Sequence, residues 1–276
     1  MPDLYLRIAD QPDEVLDAVA AAMDKRAAEP AMQEICADYM AGLPRGTGHL
    51  LEVGCGNGAT SALLRENLAP KAMTGVDPSY GLIARARQRF AGEDGVRFLP
   101  GDAVNTGQDG ASCQAVVAHT VYSHLPDPAG ALAEAYRVLE PGGVLAIFDG
   151  DYATNTVELY PGDPLQAAMA AVQRNLIHDP YVMRRLPALL SEAGFRLRKT
   201  RAHGYMQTEK PDYLLSLIAR GVDAAASTGE CGDDLATGFK SEAERRVKDG
   251  SFYGAILFVS MIAEKPKDAS RAPAAR

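Results

Sequence analysis

A short apolar run, His49-Leu50-Leu51-Glu52-Val53, opens into Gly54-Cys55-Gly56-Asn57-Gly58, and a helical pattern follows from Ala59 to Leu68. Three alternating glycines let the chain turn sharply after a strand and let a ligand approach the backbone without meeting a Cβ. The unit is therefore strand, loop, helix, with something bound at the loop. The same rhythm continues. Ala72 to Val76 reads as a strand that ends at Asp77-Pro78, and Ser79 can cap the helix behind it. Val96 to Leu99 leads to Gly101-Asp102-Ala103, and Ala115 to Ala118 leads through His119 to a helix whose cap is Asp127 and whose first residue is Pro128. That helix, Pro128 to Leu139, stops at Glu140-Pro141-Gly142-Gly143, and Val144 to Phe148 is a fifth strand. Near-continuous apolar strands alternating with helices imply an α/β fold, a doubly wound, parallel sheet covered on both faces.

The remaining segments interrupt that rhythm. Residues 12 to 41 read as helix with one break at Glu29-Pro30, which gives an N-terminal helical lead-in or cap over 1–48. The main domain spans 49–264. Within it two excursions, at about 151–179 and 205–250, carry helices near Pro164 to Leu176, Pro211 to Ala226 and Asp233 to Lys248. Between them stand the helix Tyr181 to Ala193 and the strand Phe195 to Ala202, and Phe252 to Ala263 is the closing strand. Both excursions follow strands of the sheet, so they are expected to cover its carboxyl edge. Residues 265–276, rich in Ala, Pro and charge, read as a disordered tail.

Composition narrows the function. Of 276 residues, 28 are Lys or Arg and 36 are Asp or Glu, a formal charge of −8. Such a chain lacks the basic field that nucleic-acid phosphates require. No apolar stretch approaches the roughly 18 residues of a membrane span, and the first residues lack a basic segment ahead of an apolar one, so a secretory signal is not expected. Cys36, Cys55, Cys113 and Cys231 form no metal-binding spacing. The expectation is a cytoplasmic protein without a metal, and a homo-oligomer is compatible with the sequence.

Two ligands compete for the glycine loop. A Gly-x-Gly turn with Asp77 lying 23 residues beyond Gly54 suits a dinucleotide, but Ala59 stands where that fingerprint has its last glycine. The other stations favour a different ligand. Glu52 to Gly58, Val76-Asp77-Pro78-Ser79, Gly101-Asp102-Ala103, His124 to Pro128, Arg137 to Gly143 and Leu186 to Phe195 occur in an order that resembles the class I S-adenosylmethionine (SAM) dependent methyltransferases. The similarity is greatest to the quinone-biosynthesis-like (type 11) branch, which acts on small molecules. The resemblance implies a Rossmann-like, seven-stranded, mostly parallel sheet with an antiparallel last strand, plus helical cover segments. It implies SAM as cofactor, S-adenosylhomocysteine as product and a small-molecule acceptor as the partner.

It also assigns residues. Gly54, Cys55, Gly56, Asn57 and Gly58 meet the methionyl and ribose part. Asp77, with Pro78, takes the ribose diol, Asp102 and Ala103 read the adenine edge, and His119 meets the methionyl end. Glu52 orients the loop or reaches the amino group, and Arg26 pairs with the methionyl carboxylate. Each has a plainer reading as well: Asp77 as a strand end or cap, Asp102 as a turn acid, Cys55 as a small loop residue, Arg26 as a solvated surface charge, and His124 as a packing residue. Because a sulfonium is already an activated methyl donor, the protein's main task is alignment and exclusion of water. A base, where one is needed, would come from His119, Tyr122, Asp149 or Asp151. Tyr152, His178, Tyr181 and Tyr205 are the candidates to line the acceptor pocket. Two other functions are left open, an NAD(P)-dependent oxidoreductase and a catalytically silent SAM-binding module. Against the oxidoreductase stands Pro126, which occupies the position where a Tyr-x-x-x-Lys arrangement starting at Tyr122 would need its lysine.

Overall fold

The computed structural model describes residues 3–267. Its elements follow the chain's own start and stop signals. After a short 3-10 turn, Leu4–Asp10, come α1 (Asp13–Ala28) and α2 (Pro30–Met40), divided at Glu29-Pro30, since proline cannot continue a helix but can begin one. The core then runs β1 (His49–Val53), α3 (Ala59–Leu68), β2 (Ala72–Asp77), α4 (Tyr80–Arg89), β3 (Val96–Pro100), β4 (Cys113–His119), α5 (Pro128–Val138) and β5 (Leu139–Thr156). Ser79 and Asp127 cap α4 and α5 by accepting from the Leu82 and Gly130 amides. The rest is α6 (Gln166–Leu176), α7 (Val182–Glu192), β6 (Arg196–Gln207), α8 (Asp212–Ser227), α9 (Asp233–Lys248) and β7 (Gly254–Glu264).

The seven strands form one sheet in the order β3-β2-β1-β4-β5-β7-β6, and β7 runs antiparallel to both of its neighbours. The chain leaves β1 toward β2 and β3 and returns at β4, so strand order reverses between β1 and β4. In an open α/β sheet, that is where a ligand crevice forms beyond the carboxyl ends. The loops after Val53 and His119 stand there side by side.

Alternation along the strands supplies two apolar faces. Leu50, Ala115, Val117 and Phe148 face α2, α6 and α8 through Met32, Tyr39, Val172 and Leu217. Leu51, Val116, Ala118 and Ile147 face α5 and α7 through Leu132, Ala135, Leu186 and Leu190. No described helix is long and apolar enough to cross a membrane.

Three expectations change. The fifth strand is expected over Val144 to Phe148, between a helix stop at Glu140 to Gly143 and an excursion from about 151, yet β5 runs from Leu139 to Thr156. Its residues from Val144 to Asp151 pair with β7 from Glu264 to Leu257, which carries strand geometry across the polar Asp149-Gly150-Asp151 segment. In the same way β6 continues past Ala202 to Gln207, because β7 offers partners as far as Gly254. Of the expected tail, Lys265 is anchored: its amide donates to the Gly143 carbonyl and its ammonium to the Tyr136 and Leu139 carbonyls. Residues 268–276 lie outside the described residues.

Candidate active site

The glycine loop is shaped by strain that only glycine tolerates. Gly54, Gly56 and Gly58 have φ of +69°, +52° and +79°. A Cβ on Gly54 would stand 2.5 Å from Val121, and one on Gly56 would stand 2.7 Å from the Met23 sulfur. The loop is therefore closed in by the turn after β4 on one side and by α1 on the other. Between them lies a cavity with about 890 Å³ of empty space.

Arg26, Gly54, Cys55, Asn57, Asp77, Pro78, Asp102, Ala103 and His119 all line that cavity. Asp77 is buried at the end of β2, where its two oxygens accept from the Gly56 and Ser79 amides, each at 2.9 Å. Burial pushes its carboxyl up to about 6 against the pull of those two amides. Each carboxylate oxygen keeps a lone pair for a further donor. Asp102 accepts from the Val104 and Asn105 amides through Oδ1 alone. His119 is stacked on Phe148 and bonded through Nδ1 to the Tyr39 hydroxyl at 3.0 Å, and burial holds its basicity well below the usual histidine range.

Arg26 reaches this cavity from α1. It donates to the Thr120 hydroxyl at 2.8 Å, which in turn donates to the His119 carbonyl at 2.7 Å. Thr120 has φ +54°, an outlier for a β-branched residue, and outliers of this kind cluster at working sites. No carboxylate among the described residues pairs with Arg26.

Glu52 takes a different place. It is buried beneath the loop rather than on the cavity wall, with Oε2 bonded to the Ser61 hydroxyl and Oε1 unpartnered among the described residues. Burial first, and the Asp77 charge as well, push its carboxyl up to about 8.

A second cavity, with about 460 Å³ of empty space, adjoins the first and shares Tyr5, Met23, Arg26 and His124 with it. Its other walls are Tyr152 from the extended β5, Leu176 and Ile177 at the end of α6, and Tyr213, Leu217 and Arg220 of α8. Of the acceptor-pocket candidates only Tyr152 lies on it. Tyr205 is buried elsewhere, bonded to Glu29 and packed edge-on against Tyr213 and Phe258. Tyr181 is 49% exposed under the Arg184 guanidinium, and His178 is exposed with its amide donating to Asp3.

The candidate bases also separate. Tyr122 borders a small apolar cavity on the opposite face of the sheet, beside Leu51, Ala131 and Leu145. Asp151 is paired with Arg184 at 2.8 Å. Asp149 is fully buried and accepts from the Ser123 amide at 2.9 Å and hydroxyl at 3.0 Å, so it fixes the 3-10 turn Tyr122–His124. That turn carries the histidine which does reach both cavities. His124 Nδ1 is bonded to the carboxylate of buried Asp3, its ring rests 4.4 Å from Tyr5, and Nε2 has no hydrogen-bond partner among the described residues. A carboxylate on Nδ1 fixes that nitrogen as the donor and leaves Nε2 as an acceptor. Sequence reasoning placed His124 as packing and did not find Tyr5, Thr120 or Arg220. The partners are 94 residues apart for Arg26 and Thr120 and 121 for Asp3 and His124, so no local pattern announces them.

Residues 51–147 match a family described as "Methyltransferase domain". The chain is 34% identical over 105 residues to an uncharacterized methyltransferase of Mycobacterium tuberculosis, covering 38% of this chain and 52% of that one. It spans about half the length of the curated relatives it matches. Protein BH2331 of Bacillus halodurans superposes with a TM-score of 0.61 at 21% identity, over 84% of this chain and 98% of the other. The geranyl diphosphate C-methyltransferase of Streptomyces coelicolor, solved with Mg2+, geranyl diphosphate and S-adenosyl-L-homocysteine, gives 0.53 at 15% identity, over 85% and 78%.

Proposed function

We propose that this chain, which carries a class I SAM-dependent methyltransferase domain, moves a methyl group to a small-molecule acceptor seated in the second cavity. The observation that carries the reading is the junction: two cavities of unequal size open onto the same four side chains, Tyr5, Met23, Arg26 and His124. The larger cavity fits SAM in its chemistry, with a glycine loop that a Cβ would obstruct, a buried carboxylate for a diol and an unpaired guanidinium for a carboxylate. When bound, SAM supplies a methyl group already activated on a sulfonium.

The chain's own residues do the rest. Arg26, steadied by Thr120, holds the donor's carboxylate, and Asp77 orients its ribose while Asp102 and the Ala103 amide read the adenine edge. Two fixed ends leave the methyl little freedom, and alignment of this kind can supply several kcal/mol of the barrier. Helices α1, α6 and α8 keep water from the junction. Where the acceptor atom carries a proton, His124 Nε2 takes it and Asp3 offsets the imidazolium charge.

The test is direct. S-adenosylhomocysteine should bind and raise the unfolding temperature, because a ligand of the folded state stabilises it by mass action. NAD(H) and NADP(H) should not. A shift with a nicotinamide cofactor alone would overturn the reading, and an acceptor screen followed by S-adenosylhomocysteine release then identifies turnover.

A further inference from the structure

The second cavity is more basic than its surroundings. Besides Arg26 it is lined by Arg220, and no Asp or Glu lines it. Arg220 is half-buried on α8, donates through Nε to the Ser216 carbonyl at 3.3 Å and has no carboxylate partner among the described residues. The guanidiniums of Arg174, Arg184, Arg245 and Arg246, on the neighbouring helices, are all paired with acids. In a chain of charge −8, a half-buried guanidinium left facing an aromatic cavity is out of keeping with the general surface. Arg220 lines the second cavity and not the first.

We infer that the acceptor is a small monocarboxylate, with its carboxylate on Arg220 and its body between Tyr152 and Tyr213; this rests on the two-cavity reading above. The charge count selects one negative charge. Arg26 belongs to the junction, where the donor's carboxylate answers it, and Arg220 is left with one charge to answer. A planar guanidinium binds a carboxylate through two parallel N–H bonds, and a partly desolvated pair of this kind is stronger than a neutral hydrogen bond. Leu176, Ile177 and Leu217 supply apolar wall for the acceptor's body.

Calorimetry can test this with benzoate, 4-hydroxyphenylacetate and 3-hydroxybutyrate, each beside its primary amide, titrated into the free chain and into the S-adenosylhomocysteine complex. At least one acid should bind the complex about tenfold or more tightly than its amide, the range expected for a hydrogen-bonded charge. Arg220→Gln should erase that preference without altering the amide's affinity, and Arg220→Lys, which keeps charge but not the fork, should retain part of it. Unfolding curves of both variants check that the fold is kept. Amides binding as well as acids, an unchanged preference in Arg220→Gln, or no acid binding at millimolar concentration would each overturn the inference. Tighter binding of phenyl phosphate than of benzoate would overturn the single-charge assignment. Failure of S-adenosylhomocysteine to bind would instead remove the methyltransferase reading, and the titrations of the free chain would still report on Arg220.

Discussion

At the residue scale the donor cavity depends on two carboxyls that share a protonation problem. Asp77 is pushed up to about 6 and Glu52 to about 8, both by burial first. Each folded-state value lies above the ordinary one, so each group's contribution to stability is full at low pH and is lost as pH rises through the folded value. Ligand binding runs the other way for Asp77, because a diol donates best to an ionised acceptor. Affinity for S-adenosylhomocysteine should therefore rise between about pH 5 and 7 and then level off. Asp77→Asn should be weaker by about 1–3 kcal/mol and lack that rise. Calorimetry across this range checks it, and a flat wild-type profile would exclude Asp77 as the titrating acceptor. Glu52→Gln removes a carboxyl that must stay protonated to remain buried, so its melting temperature at pH 8 should exceed that of the unmodified chain. His124→Asn should lower kcat on a hydroxyl acceptor by about 100-fold, the usual scale of a lost base. The same variant should keep donor affinity within about 1 kcal/mol; an unchanged kcat would assign the proton to another group.

At the element scale α1 forms one wall of the larger cavity, and one side chain fastens it. Asn57 of the glycine loop donates to the Ala20 carbonyl at 3.2 Å and the Asp24 carboxylate at 2.9 Å, and its own amide oxygen accepts from the Ala59 amide at the start of α3. Arg89 of α4 reaches the same Asp24, and Arg85 reaches Asp17. Loop, α1 and two core helices thus meet at Asn57. Asn57→Ala should speed donor release and weaken binding by about 1 kcal/mol. Hydrogen exchange in residues 13–28 should slow when S-adenosylhomocysteine binds, and equal exchange with and without ligand would mean that α1 does not close on it. The extent of this element was legible in the sequence, since the Glu29-Pro30 break marks its end. The loop, Asp77 and Asp102 were legible for the same reason: each stands at a strand end, where turn chemistry shows in neighbouring letters. The length of β5 was not. Asp149-Gly150-Asp151 has turn composition, and pairing with a strand more than a hundred residues away keeps it extended. Arg220, Thr120 and the Asp3–His124 pair were hidden because each acquires its role from a partner that the fold, not the local sequence, brings near.

At the scale of the whole molecule the two excursions behave as one body continuous with the sheet. Val157, Leu165 and Val172 of the first and Tyr213, Leu217 and Val222 of the second share an apolar cluster with Leu50, Val117 and Phe148 of the strands. On α8, Gly221 permits an approach to Val172 of α6 so close that a Cβ would stand 2.5 Å away. An ion pair locks the outer side: Arg246 of α9 is bonded to both oxygens of Asp163 at 2.7 Å and to the Val157 carbonyl at 3.2 Å, with the two side chains 5% and 0% exposed. These contacts do not suit a flap. Arg246→Ala leaves the Asp163 charge buried without its partner, a loss on the order of 3–5 kcal/mol. For a domain of this size that corresponds to a fall of roughly 10 °C in melting temperature. The donor cavity is built from β1, β2, β4 and α1, which Arg246 does not touch, so affinity for S-adenosylhomocysteine measured below the transition should stay within about 0.5 kcal/mol. The double change Arg246→Met with Asp163→Leu removes both charges together and should recover most of the lost stability. Melting curves and calorimetry on the same preparations separate the two effects. A single variant that melts with the unmodified chain, or one that loses the donor while remaining folded, would show that the excursions move independently of the sheet.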